Sequence, residues 1–217
     1  NVIAGLRQEN NTTTYTAYRA QRSALTHWVF TGEEFTYQRK NSYTLPALFL
    51  RYKPVEWLNI RAALTNTLTR PNYTDIIPLQ EFQGTASAVD WRNQDLKPGK
   101  SKNQDYSISF NQNRLGLISI GYFTKNIEDL IFSSGRRYID DPSQFGLPEN
   151  VEKWQLLNYT SNNPYNVLLK GIEFDYQTRF WYLPSFLSGL VLNFNYTTIE
   201  SEVKYPRNIL DQFFDWD

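Results

Sequence analysis

The sequence predicts an all-β fold, a transmembrane antiparallel up-and-down β-barrel that is incomplete here, with about seven strands present. Three observations lead to it. Segment after segment alternates apolar and polar residues at a period of two, the connections between segments are short and long in turn, and the chain is aromatic yet polar on average. Phe, Tyr and Trp make up 16% of the residues, with 15 Tyr, 14 Phe and 6 Trp, whereas the mean hydropathy is −0.55. Amphipathic rings in that abundance suit a surface passing from hydrocarbon to water.

Composition excludes other classes. A hydrophobic content of 41% over 217 residues is low for a compact soluble core. Lys plus Arg (22) equals Asp plus Glu (22), so the basic excess of a nucleic-acid binder is missing and no nucleic-acid partner is expected. Without Cys there is no disulfide scaffold or thiolate metal site, and His27 alone cannot form a multi-histidine one. Neither a metal nor a cofactor is expected. No apolar run approaches the roughly 18 residues of a membrane-crossing helix, so a membrane would be crossed by strands. A chain that starts at Asn1 and contains no Met is expected to be a processed product or, more simply, a fragment.

Asn1 to about Arg19 reads as the first strand, with Val2, Ala4 and Leu6 on one face and Ile3, Gly5, Arg7 and Glu9 on the other. Gln21 to Ser42 loses its period and is expected to be a long loop with strand-like stems. Leu45 to Tyr73 is a hairpin: Leu48, Leu50 and Tyr52 oppose Ala47, Phe49, Arg51 and Lys53, the chain turns at Lys53 to Trp57, and Leu58, Ile60, Ala62, Leu64 and Leu68 oppose Asn59, Arg61, Ala63, Thr65, Thr67 and Thr69. Beyond Thr69, three prolines and two glycines without alternation predict a long loop up to about Asn103. Tyr106, Ile108 and Phe110 then oppose Asp105, Ser107 and Ser109. A polar turn (Asn111 to Gly116) leads into Ile118, Ile120 and Tyr122, opposed by Ser119, Gly121 and Phe123.

Asn126 to Asn166 is expected to be a second long irregular region, with a weak helical suggestion at Asn150 to Leu157. The clearest strand runs from Lys170 to Phe180: Ile172, Phe174 and Tyr176 alternate with Gly171, Glu173, Asp175, Gln177 and Arg179. After a turn at Trp181 to Gly189, Leu192, Phe194 and Tyr196 against Asn193, Asn195 and Thr197 give the last strand, and the tail from Val203 has no readable period.

Connections after Tyr52, Phe110 and Phe180 are short, and those after Arg19, Thr69 and Ile131 are long. An up-and-down arrangement puts all short turns at one end and all long loops at the other, as in outer-membrane barrels. A soluble sandwich also alternates, but aromatic residues gather at the short-turn ends (Tyr52, Trp57, Phe180, Trp181, Tyr182, Phe186) and the strands suit a tilted crossing. Arg7, Glu9, Arg51, Arg61, Asp105, Glu173, Asp175 and Arg179 share the polar side and are read as lumen-lining, since a dry interior would desolvate them at severe cost. Seven strands leave two open edges in lipid, so further strands are expected outside this sequence.

GLRQE (Gly5 to Glu9), LPALFLRYKP (Leu45 to Pro54), LTRPNYTDIIP (Leu68 to Pro78), NQDLKPGKSKNQDYSISF (Asn93 to Phe110), GYFTKNIEDLIF (Gly121 to Phe132), GIEFDYQ (Gly171 to Gln177) and GLVLNFNYTTIES (Gly189 to Ser201) stand in one order across nearly the whole chain. Together they resemble the C-terminal part of the barrel of TonB-dependent outer-membrane receptors, particularly the forms common in Bacteroidetes. The resemblance implies that residues 1–217 are part of a 22-stranded barrel filled by an N-terminal plug that has no counterpart here. It implies TonB-coupled uptake of a nutrient such as a siderophore, cobalamin, glycan or peptide. The partners would be the lipid bilayer with its lipopolysaccharide, the protein's own plug, and TonB through an N-terminal region absent from this sequence. The alternative is a barrel that transports nothing and acts as a scaffold in an outer-membrane or cell-surface assembly, with a surface lipoprotein or other complex subunits as partners.

Trp28, Trp91, Arg92, Arg136, Arg137, Tyr138 and Trp154 are aromatic or cationic groups in the long outer loops and are the candidate ligand contacts. Arg70, in Thr69 to Tyr73, could touch ligand or plug, although Pro71 ends a ladder and Tyr73 suits an interface, which favours a structural role. Glu173, Asp175 and Arg179 read as a salt-bridge lattice along one wall, not as an acid/base set. Glu33-Glu34 and Asp140-Asp141 lack the ligand spacing of a calcium loop and read as solvated charge. With no phosphate loop and no catalytic triad, no enzyme activity and no catalytic residue is expected.

Overall fold

The structure, a computed structural model, describes residues 1–22, 28–77, 80–83, 88–91, 93–139, 155–205, 207–209 and 212–214. Strands β1 (Val2–Arg22), β2 (Trp28–Val55) and β3 (Leu58–Thr69) come first, followed by one helical turn, α1 (Tyr73–Ile76), and the short β4 (Gln80–Gln83) and β5 (Ala88–Trp91). Then come β6 (Gly99–Gln112), β7 (Gly116–Glu128), β8 (Ile131–Ile139), β9 (Gln155–Asn162) and β10 (Val167–Arg179). A 3-10 turn (Ser185–Gly189) leads to β11 (Val191–Glu202) and to β12 (Arg207–Ile209) and β13 (Gln212–Phe214), which pair with each other.

Seven strands form one antiparallel sheet in the order β1-β2-β3-β6-β7-β10-β11. Its register keeps one parity from edge to edge. Phe49 lies opposite Ile3 and Ala63, Ala63 opposite Asp105, Asp105 opposite Phe123, Phe123 opposite Gly171, and Gly171 opposite Ile199. Side chains of a strand alternate between faces, so nearly every odd-numbered residue of these strands lies on one side and every even-numbered one on the other. Two irregularities interrupt the ladders: one between Tyr18 and Ala20, beyond which the parity resumes, and a bulge between Tyr52 and Val55, next to the β2–β3 turn, where it is lost.

The two sides differ in kind. Leu50, Leu64, Tyr106, Ile108, Phe110, Ile120, Tyr122, Ile172, Leu192, Phe194 and Tyr196 are exposed and all stand at even positions. Within the seven strands, the exposed large apolar residues at odd positions are Ile3, Phe49, Val55, Val191 and Ile199. A continuous exposed apolar sheet face has no stable partner in water. The odd side is knitted by polar bonds: Arg51 Nε donates to Asn59 Oδ1 (3.0 Å), Asn103 Nδ2 to Thr65 Oγ1 (3.3 Å) and Thr67 Oγ1 (3.2 Å), and Ser109 and Ser119 share a bond of 3.0 Å.

Three connections at one end are tight. β2 and β3 turn at Glu56-Trp57, β6 and β7 at residues 113–115, and β10 and β11 through the 3-10 turn. Gly116 has φ +81, and a Cβ there would lie 2.1 Å from the Gln177 carbonyl oxygen, so only glycine closes this turn against β10. Aromatic residues gather at this end: Trp57 stacks on Phe110 at 6.1 Å, Trp181 meets Tyr182 edge-on at 5.9 Å, and Trp181 Nε1 donates to the Asn113 carbonyl of the neighbouring turn (3.1 Å).

At the other end the expected loops are built structure. The stretch from Trp28 to Ser42 is strand, because β2 is 28 residues long and pairs with β1 out to Arg22–Trp28. The regions expected to be irregular at 70–103 and 126–166 contribute β4, β5, β8 and β9, which form a second sheet in the order β4-β5-β9-β8. β5 and β9 pair in parallel. Of the suggested helix at 150–157, residues 155–157 are strand and the rest lie outside the described residues. Each of these segments is short or paired with a distant one, so no local alternation announces it. Of the described buried residues, Gly171 and Thr178 stand on β10, whereas Leu96 (2% exposed), Pro98, Gly99, Asn163 and Val167 lie where the second sheet joins the first.

Gly171 faces Phe123 on the odd side, where a Cβ would lie 2.6 Å from the ring and 2.5 Å from the Thr198 carbonyl oxygen. Gly5, on the same side, has nothing within 4 Å. Gly171→Val is expected to destabilise the folded barrel by roughly 1–3 kcal/mol through overpacking, and Gly5→Val to stay within about 0.5 kcal/mol. Urea unfolding followed by tryptophan fluorescence measures both.

Candidate functional site

The odd side of the long hairpin β1–β2 carries the first part of the site. Glu9 accepts from Arg7 (2.7 Å) and from Arg70, which reaches back across the face from the end of β3. Arg70 therefore closes the β3–β4 connection onto β1, in line with a structural role. Farther out, the Tyr37 hydroxyl donates to Asp95 Oδ1 (2.7 Å), and Arg39 Nη1 donates to the carbonyls of Leu96 (2.6 Å) and Gln94 (3.5 Å). These bonds hold the segment before β6 against β2. Between the hairpin and the folded-back chain lies a cavity of about 100 Å³ lined by Tyr15, Arg39, Arg70, Tyr73 and Gln94 among others.

Two tyrosines here are held protonated. The hydrogen bond to Asp95 raises the Tyr37 pKa above 10.0, burial and the Asp95 charge add to this, and Arg39 opposes it. Tyr15 is raised chiefly by burial, with Tyr73 contributing, and its hydroxyl is buried without a hydrogen-bond partner. Both are donors at neutral pH.

The second sheet carries most of the sequence-predicted ligand contacts. Trp91 ends β5, opposite Gln80 of β4 and Tyr159 of β9. Arg136, Arg137 and Tyr138 lie on β8, opposite Asn158, Leu157 and Leu156 of β9. Four of the seven candidates are thus brought onto one sheet. Trp28 instead pairs with Arg22 at the far end of the β1–β2 hairpin, and Arg92 and Trp154 lie outside the described residues.

All eight residues expected to line a lumen, Arg7, Glu9, Arg51, Arg61, Asp105, Glu173, Asp175 and Arg179, stand at odd positions of the seven-stranded sheet. The expected salt-bridge lattice on β10 is absent among the described residues. Glu173 lies between Gly121 and Thr197, and Asp175 lies between Ser119 and Asn195, so the cross-strand neighbours are neutral. Asp175 accepts from Asn195 Nδ2 instead. Glu33 and Glu34 lie on β2, Asp140 and Asp141 lie outside the described residues, and no group of three metal-binding side chains occurs among the described residues. Sequence reading did not find Tyr37, Arg39 or Asn162 as anchors of the outer segments, and their types and spacing carry no signal for it.

An antiparallel sheet with one exposed apolar side, one polar side, tight turns at one end and folded loops at the other defines the wall of a transmembrane β-barrel. The chain belongs to the TonB dependent receptor-like β-barrel family, which it matches over residues 1–215. Its place is the outer membrane, and the family consists of transport receptors, not enzymes. Among solved structures it is similar to the hemophore receptor HasR of Serratia marcescens, solved with its hemophore HasA and heme, at a TM-score of 0.64 and 16% identity over 95% of this chain and 32% of that one. It is also similar to the siderophore receptor PirA of Pseudomonas aeruginosa, at a TM-score of 0.56 and 13% identity over 91% of this chain and 34% of that one. The chain thus spans about a third of the length of these structures, and identities this low speak for the fold alone. No curated protein matches it significantly by sequence.

A difference titration at 295 nm between the protein and Tyr37→Phe is expected to show one tyrosine ionising above pH 10. A raised folded-state pKa means that the Tyr37–Asp95 anchor contributes fully below the ordinary tyrosine pKa and is lost as pH climbs through the raised value. Asp95→Ala should bring that midpoint down toward 10.0.

Proposed function

We propose that this chain is part of the wall and outer loops of a receptor that takes a nutrient ligand across the outer membrane, energised through TonB. The observation that carries the reading is the single parity of the seven-stranded sheet: its even side fits hydrocarbon, its odd side fits a wet, plug-filled interior. β1 and β11 then pair with strands of the same barrel outside this stretch, because an open edge in lipid leaves backbone groups unpaired. The tight turns mark the periplasmic rim. The outer sheet with Trp91, Arg136, Arg137 and Tyr138, together with the Arg39–Arg70 face of β1–β2, meets the ligand from outside. Family membership supports a nutrient ligand such as a siderophore, cobalamin, glycan or peptide, and the heme and siderophore of the receptors of similar fold join the sources to be tested.

Uptake is tested by growth of receptor-dependent cells on a panel of ferric catecholate, ferric hydroxamate, heme, cobalamin and oligosaccharide sources, with and without TonB. Growth on one source that needs both the receptor and TonB is the expected result. Receptor-dependent phenotypes that persist without TonB would refute coupling and favour a scaffold.

The facing of the wall has its own test. Tyr196→Arg puts a charge on the even side midway along β11 and is expected to cost roughly 2–4 kcal/mol near mid-bilayer, seen as loss of the heat-modifiable folded band on a gel. Thr197→Arg, one residue on, should assemble normally.

A further inference from the structure

From the geometry where the outer sheet meets the wall, we infer that Asn162 is the positioning residue that sets the outer sheet on the barrel. Asn162 ends β9, and its side-chain amide behaves like a strand residue's backbone. Its Oδ1 accepts from the Lys97 N–H (2.8 Å) while its Nδ2 donates to the Lys97 carbonyl (2.8 Å). The same Nδ2 donates to the carbonyl of Asp129 (2.8 Å), which turns the chain from β7 into β8 with φ +55. The network fixes the amide's orientation, because Lys97 N–H can only be met by Oδ1, and this leaves Nδ2 for the two carbonyls.

The neighbouring residue completes the junction. Asn163 is 1% exposed; its backbone N–H donates to the Leu130 carbonyl (2.7 Å) and its Nδ2 to the carbonyl of Lys204 beyond β11 (2.7 Å). Gly99 stands against this point, where a Cβ would lie 3.3 Å from the Asp129 carbonyl oxygen. Four chain segments cross between outer sheet and wall. Three of them, β5 to β6 through Lys97, β7 to β8 through Asp129 and Leu130, and β9 to β10 through Asn162 and Asn163, are joined at this one amide and its neighbour. The β3–β4 segment is held separately by Arg70 on Glu9. With only Leu96, Pro98 and Val167 as buried apolar side chains among the residues described, little hydrophobic contact is available to do the same work.

The outer sheet carries Trp91, Arg136, Arg137 and Tyr138, so the amide that seats it governs where those groups stand. This consequence for ligand contact rests on the uptake reading above, but the seating itself does not. Asp at 162 keeps the shape and the acceptor for Lys97 N–H, yet it faces two carbonyl oxygens with a carboxylate. Ala removes all three bonds without adding repulsion.

Hydrogen exchange by mass spectrometry on the intact outer-membrane protein in detergent, without ligand, tests the assignment. Asn162→Asp and Asn162→Ala are expected to speed exchange in β5, β8 and β9 by about tenfold or more, with the β6, β7 and β10 amides unchanged. Asn103→Ala, which removes three polar bonds on the wall itself, should leave the outer sheet's exchange as it was. Unchanged exchange in the outer sheet of both Asn162 variants would overturn the assignment. So would equal acceleration in the wall, since Asn162 would then be a general stabiliser. Because no ligand or TonB enters the measurement, its failure and the failure of the uptake reading are told apart.

Discussion

In hydrocarbon, every backbone N–H and C=O must find its partner within the protein, because no water is present to take it. The seven-stranded sheet is what that constraint allows. Its ladders run from β1 to β11 with one shared parity, so the strands can meet the demand while still presenting two different surfaces. A slip of one residue between any two strands would exchange the faces of everything beyond it. The charged residues at 61, 105, 173 and 175 would then enter lipid, and Leu64, Tyr106, Ile172 and Phe174 would face the interior. Register here is therefore fixed jointly by the solvent on both sides. The bulge between Tyr52 and Val55 is tolerated because it falls beside a turn, at the aromatic rim.

The same constraint explains where the protein is packed and where it is not. A barrel wall one sheet thick has no layer behind it on the lipid side, so its large apolar residues stay open to lipid and bury little against each other. Tight packing appears instead where chain leaves the membrane. At the turn end, aromatic rings and the Gly116 contact close the strands. At the loop end, polar groups do the joining: Tyr37 to Asp95, Arg39 to Leu96, and the Asn162–Asn163 pair to three other segments. Hydrogen bonds of this kind are directional, which suits segments that must be held in place without a large core.

The wall was legible in the sequence because its signal is local. Ile172, Phe174 and Tyr176 against Glu173, Asp175 and Gln177 declare a two-faced strand whatever its neighbours are, and the alternation of short and long connections orders the strands. The outer architecture was not legible, for two reasons. β1 and β2 run past the membrane into Thr-rich and charged sequence whose two sides are alike, so the period vanishes although the pairing continues to Arg22 and Trp28. β5 and β9 pair in parallel across more than sixty residues of chain, and four-residue strands hold no period to read. Asn162 sits in an Asn/Ser/Pro-rich stretch that looks like loop, and its role depends on Lys97, 65 residues away in sequence. The salt bridges expected on β10 failed for a related reason: spacing along a strand does not tell which neutral side chains flank it.

The facing of the sheet is tested most directly by site-directed spin labels at successive positions 172 to 177 of β10 in the intact protein, reconstituted in lipid. Collision with oxygen, which concentrates in hydrocarbon, should peak at 172, 174 and 176, and collision with a water-soluble nickel complex should peak at 173, 175 and 177. The two profiles should alternate out of phase with a period of two. Profiles that rise and fall together, or that show no period, would contradict a wall with lipid on one side and a wet interior on the other.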